Sequence, residues 1–159
     1  GIGGDMRNYD QESCDVSEHK YAYTFDLDIM HPFMIRSFLP FIVDGSVLEL
    51  GSSKGDFTKR LIPIFDTVTC VEASSEAIAI GRSKFSTCAC FAHATFEEVV
   101  LPKQYENVVM THVLEHLDDP ILVLKRIGQE WLTDKVDIGK INKNLIPSYS
   151  VFNEKIKNK

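Results

Sequence analysis

The sequence predicts an α/β fold, a mostly parallel sheet with helices on both faces. Three observations carry that expectation. Short apolar runs stop at turn residues, as SVLEL stops at Gly51. Segments with helical apolar spacing stand between those runs. The strand candidates are nearly continuous in apolar residues, which suits a sheet covered on both sides. The order strand, helix, strand, helix, strand, strand, helix builds right-handed β-α-β units.

Each element has its own local reason. Tyr21–Phe41 is rich in aromatic residues. Pro32 suits the first turn of a helix, and Pro40 suits its end. Phe33, Phe38 and Phe41 read as a stripe packing that helix on the sheet. Ser46–Leu50 is the first strand. Phe57, Leu61, Ile64 and Phe65 form a helical stripe over Asp56–Phe65. Thr67–Val71 is β-branched and reads as the second strand. Ser75–Phe85 is a helix with Ser74 or Ser75 as N-cap. Cys88–His93 is a third strand and Asn107–Thr111 a fourth. Asp119–Trp131 is a helix with Pro120 at its first position.

Three stretches divide the chain. Residues 1–20 are expected to be a tag remnant, GIGGD, followed by a loose polar segment. Residues 21–132 hold the sheet-forming domain. Residues 133–159 form a Lys/Asn-rich tail with weak periodicity, expected to supply one strand or one helix.

The 159 residues are 44% apolar and 25% charged, which suits one globular core. With 17 basic and 23 acidic residues the net charge is −6. Such a chain has little electrostatic attraction for nucleic acid or an anionic membrane. No apolar run is long enough for a membrane-spanning helix, and no secretory signal is visible. Cys14, Cys70, Cys88 and Cys90 form no C-x-x-C pair. Cys88 and Cys90 alternate as same-face strand residues and read as packing residues rather than a disulfide or ligand pair. A reducing, cytoplasmic compartment is expected.

The chemistry concentrates where the first strand ends, in Glu49-Leu50-Gly51-Ser52-Ser53-Lys54-Gly55-Asp56. Open α/β sheets bind ligands at the carboxyl ends of their strands. Glu72 lies 21 residues past Gly51, the distance of a ribose-hydroxyl clamp. A dinucleotide site wants G-x-G-x-x-G facing a pyrophosphate. Here Ser53 stands between the glycines, and Glu49 and Asp56 would repel a diphosphate. The two acids suit a ligand with a cationic amino group. No P-loop is present. His112-x-x-x-His116 lacks the H-E-x-x-H order, so no metal is expected.

Four segments together resemble the class I S-adenosylmethionine-dependent methyltransferases. They are VLELGSSKGDFTKRL (47–61), VTCVEA (68–73), AHATFEE (92–98) and VVMTHVLEHLDDP (108–120), within a similarity covering about residues 20–132. The resemblance implies a Rossmann-like sheet and S-adenosyl-L-methionine as cofactor, with S-adenosyl-L-homocysteine as product. It implies that Gly51, Ser52 and Gly55 follow the methionine part and that Glu49 sits near its ammonium group. Glu72 would hold the ribose hydroxyls, with Ala73 on the adenine face. Thr95 and Phe96 would meet the adenine edge. Thr111 and His112 would face the sulfonium, and Tyr21 and His31 would close the pocket. His112, His116 and His31 are the candidates for a general base, if the acceptor must lose a proton.

The resemblance stops near Trp131. The family's next strand, usually apolar after a Gly-Gly turn, is not found, so the chain is expected to be C-terminally truncated. A four-strand sheet would expose the edge of the fourth strand. The tail or a second subunit, as in a homodimer, is expected to cover it. A methyltransferase acting on a small-molecule acceptor is the first functional expectation. The alternative is a catalytically silent cofactor-binding or interaction module.

Overall fold

The computed structural model describes residues 20–111, 113, 116–137 and 149–155, with residues 20–28 and Tyr149 described by backbone alone. The elements run α1 (Lys20–Phe38), β1 (Ser46–Leu50), α2 (Thr58–Leu61), β2 (Thr67–Glu72), α3 (Ser75–Phe85), β3 (Cys90–His93), β4 (Asn107–Thr111), α4 (Pro120–Arg126) and β5 (Tyr149–Phe152). A 3-10 turn, Leu39–Phe41, ends the first helix, and a π-helical turn, Ile127–Trp131, extends α4. The GIGGD stretch, Cys14 and residues 138–148 of the tail lie outside the described residues.

The five strands form one sheet in the order β3-β2-β1-β4-β5. β1 pairs in parallel with β2 and β4, and β2 with β3. All four therefore end at the same edge. β5 alone runs antiparallel, with Tyr149 opposite Thr111 and Phe152 opposite Val108. The mostly parallel Rossmann-like sheet is thus the fold the sequence predicts. The cover over β4 comes from the tail itself.

Successive strand residues point to opposite faces, and the core divides accordingly. Val47, Cys70 and Val109 join Met34 and Phe38 of α1 and Leu61 of α2 on one face. Leu48, Val71 and Val108 join Val123, Leu124 and Ile127 on the other. β1 is buried at every position, which is what a central parallel strand demands.

Four local expectations are corrected. Pro32 lies inside the 19-residue helix α1 and not at its first turn. Proline removes one helical hydrogen bond, but buried His31, Met34 and Phe38 dock the helix on both sides of it. Of the aromatic stripe only Phe38 packs on the sheet, because Phe33 is 64% and Phe41 47% exposed. The helix over Asp56–Phe65 shrinks to the single α turn Thr58–Leu61, followed by turns around Pro63. Cys88 and Cys90 are free and exposed rather than packed, since β3 is an edge strand that begins only at Cys90.

Candidate functional site

The carboxyl ends of β1, β2, β3 and β4 form one rim of the sheet, and the sequence at that rim decides its shape. β1 leaves the sheet through Gly51, whose N–H donates to Val71 O at 2.8 Å. Three residues within five positions have positive φ: Gly51 at 79°, Ser53 at 50° and Gly55 at 92°. Glycine is required at 51 for a second reason. A Cβ there would stand 2.6 Å from Val113 Cγ2 and 3.6 Å from Phe96 Cζ. The turn, Val113 and the Phe96 ring therefore meet at one place.

Glu72, at the end of β2, is tied to this turn. Its Oε1 accepts the Ser53 N–H at 2.8 Å, and its Oε2 accepts the Ser74 N–H at 2.7 Å. Each carboxylate oxygen has a second lone pair, so the group can still accept two hydroxyls. Ser74 is the N-cap of α3, accepting from Ala77 N at 3.2 Å. Ala73 follows Glu72, and its carbonyl lies 3.0 Å from His93 Nε2.

The opposite wall is the turn after β3. Thr95 Oγ1 accepts from Glu98 N at 3.2 Å, and Thr95 O accepts from Val99 N at 3.0 Å. Arg126 of α4 fixes this turn from behind. Its guanidinium donates to the carbonyls of Phe96 (2.7 Å), Glu97 (3.0 Å) and Val99 (2.5 Å). It also pairs with Glu130 and lies 4.8 Å over the Trp131 ring.

Glu49 and Ser52 lie beneath the rim. Glu49 is fully buried, and its Oε1 accepts the Thr58 hydroxyl. Its Oε2 has no hydrogen-bond partner, nor does the buried Ser52 hydroxyl oxygen. Burial, with smaller contributions from the nearby charges of Glu72 and Asp56, pushes the Glu49 carboxyl up to about 7 against the lowering effect of Thr58 and Cys70. Unpartnered buried oxygens beside a turn too tight for a Cβ are a demand for a ligand donor.

The remaining expected positions fall as follows. Thr111 ends β4 at the same rim, half-buried. His31 is buried in α1, edge-on to Phe57 at 5.1 Å. His116 is exposed, with its N–H donating to Val113 O. Tyr21 belongs to α1 by its backbone, with its side chain outside the described residues, and His112 lies outside them altogether. Among the described residues no group of three His, Cys, Asp or Glu side chains could hold a metal ion.

Thr58, Cys70, Val113 and Arg126 escaped the sequence reading. Cys70 had a usable signal, because it is the register partner of Glu49 in the parallel pair β1–β2. Arg126 is the one arginine in the helical run PILVLKRI, beside Lys125 at the end of its apolar stretch.

The residues present fit a ligand with an ammonium group and vicinal hydroxyls. Acceptors stand at Glu49, Ser52 and Glu72, and Gly51 leaves room for backbone approach.

Comparison with known proteins places this geometry in a family. An uncharacterised methyltransferase of Bacillus cytotoxicus is 26% identical over 102 residues, covering 64% of this chain and 45% of its own length. The chain thus spans about half the length of the curated relatives it matches. The structure of DhpI with S-adenosylhomocysteine superposes with a TM-score of 0.57 at 25% identity, over 67% of this chain and 52% of that one. A possible histamine N-methyltransferase of Thermotoga maritima superposes at 0.61 and 19% identity, over 75% and 54%. A family model described as a methyltransferase domain matches residues 29–136, and the chain belongs to that family of S-adenosylmethionine-dependent methyltransferases.

Proposed function

We propose that this chain binds S-adenosyl-L-methionine at the rim of β1 and β2 and transfers its methyl group to a small-molecule acceptor. The observation that carries this reading is the Glu72 carboxylate, held by two backbone N–H groups directly beside the Gly51 turn. A solved relative by fold, DhpI, carries S-adenosylhomocysteine. When bound, the cofactor supplies a methyl group already activated on a sulfonium.

The chain's own residues bind and orient. Glu72 accepts the ribose hydroxyls while the turn keeps its oxygens in place. Glu49 and Ser52 receive the amino-acid end. Phe96, fixed through Arg126, supplies a ring beside Gly51 for the nucleoside. Such alignment and exclusion of water account for most of what a methyl transfer needs. Net negative charge disfavours nucleic acid as acceptor. The exposed free thiols of Cys88 and Cys90 support a reducing, cytoplasmic setting. With the β4 edge covered by β5, the homodimer expected there is proposed instead at the outer edge of β5.

Calorimetric titration with S-adenosylhomocysteine tests the reading. Wild type is expected to bind, and Glu72→Ala to weaken binding by about 1–3 kcal/mol. Unchanged affinity in Glu72→Ala overturns the ribose role. The competing reading is a binding module without turnover. Cofactor binding without methylation of any offered acceptor would establish it.

A further inference from the structure

Glu49 is the fourth residue of a strand buried at every position, on the face of the sheet that carries α1 and α2. A fully buried carboxylate costs several kcal/mol unless a cation or several donors meet it. One of its oxygens is met: Thr58 donates its hydroxyl to Oε1, and Cys70 Sγ donates to the same atom at 3.6 Å. The other, Oε2, has no partner.

Among the described residues, the charged groups that act most strongly on Glu49 are acids, with no cation beside them, although Lys54 belongs to the turn. The turn contributes Asp56, and β2 contributes Glu72 and the Cys70 thiol, which its own burial keeps protonated. β4 places Val109 beside Glu49 in the register. α2 turns the neutral Thr58 to Glu49 and also carries Lys59, which is exposed, and Arg60, which is half-buried. His31 of α1 meets Phe57 edge-on in the same layer. Two groups thus lack partners in one buried region, Glu49 Oε2 and Ser52 Oγ.

We propose that Glu49 is a proton-exchanging receptor for a cationic amino group: on the acid side of neutrality it carries a proton in the free protein and releases it when the ligand's ammonium group arrives, with Thr58 positioning it. This rests on the cofactor reading above. In the exchange only the Glu49 O–H bond breaks, and its proton passes to solvent. The ammonium keeps its own protons and donates one N–H to the carboxylate. Thr58 occupies Oε1 and leaves Oε2 as the receiving atom. A carboxyl held near 7 places the exchange in the neutral range.

The test uses the full chain and S-adenosylhomocysteine in calorimetry, repeated in buffers of different ionisation enthalpy. About 0.9 proton should be released per ligand at pH 6 and about 0.1 at pH 8. Affinity should rise nearly tenfold per pH unit below 7 and level off above it. Glu49→Gln, which cannot ionise, should bind more weakly, release no proton and show a flat profile. Thr58→Val should move the midpoint upward, and Thr58→Ser should restore it, with thermal melts confirming the fold. Tight binding by wild type with no proton released at pH 6 overturns this inference and leaves the cofactor reading standing. No binding at any pH overturns both.

Discussion

Asn153 donates its side-chain amide to Oδ1 of Asn107 at 3.0 Å across 46 residues of sequence. Both side chains are buried. Asn107 also accepts from Val43 N and donates to the carbonyls of Val43 (2.8 Å) and Ser46 (3.1 Å). Asn153 reaches Phe41 O at 2.8 Å. Two amides thus tie the tail, the 3-10 turn and the amino ends of β1 and β4 into one network. Asn107→Ala should cost about 2–4 kcal/mol in urea unfolding, because it strands several buried backbone groups. Asn153→Ala should cost less. Deleting residues 149–155 uncovers the edge of β4, and light scattering should then detect self-association.

Arg126 gathers three carbonyls with one planar guanidinium and stacks on Trp131. Lysine offers a point charge without that fork. Arg126→Lys and Arg126→Ala should both destabilise by about 2–4 kcal/mol in denaturant titrations. Both should also weaken S-adenosylhomocysteine binding, since the Phe96 turn loses its anchor. Equal affinity in either variant would detach Phe96 from the nucleoside site.

Gly51 and Ser53 make opposite predictions for the same turn. Gly51→Ala places a Cβ against Val113 at a left-handed φ and should cost about 2–4 kcal/mol. Adding Val113→Ala should recover part of that loss. Ser53 already bears a side chain at φ 50°. Ser53→Gly should therefore leave the melting temperature unchanged or raised, because relief of strain offsets the added freedom of the unfolded chain.

Two carboxyls give the stability of the chain opposite pH dependences. Glu49 is raised in the fold from 4.5 to about 7. The native state then binds the extra proton, so its contribution is complete below the unfolded value of 4.5 and disappears as pH rises through about 7. Glu49→Gln should gain on wild type between pH 5 and pH 8 by about 2–3 kcal/mol. Glu106 is held below its ordinary range by hydrogen bonds from Ser46. Its contribution is present above the unfolded value and is lost as pH falls through the folded one. Glu106→Gln should flatten the acid limb of a stability profile measured by urea titration.

Local rules carried most of the sheet. Ser46–Leu50 and Asn107–Thr111 have the bounds that their apolar runs predict, and Asp119 caps α4 by accepting from Leu122 N. Signals weakened where long-range packing decides. Helix α1 passes through Pro32 because buried side chains on both sides hold it. β5 is four residues with little periodicity, and its pairing with β4 is set by a partner some forty residues away. The rim was legible in Gly51 and Glu72, because a tight turn and a strand-end acid are marked by residue type. Thr58 and Arg126 were not, since their work depends on which atoms the folded chain brings to them.

Three left-handed residues between Gly51 and Gly55 have a kinetic consequence. That loop is cross-tied to Glu72 through the Ser53 N–H, so the folded chain already holds it in this shape. On the proposed cofactor reading, association should then need no slow rearrangement of this segment, and differences in affinity among loop variants should show in the dissociation rate.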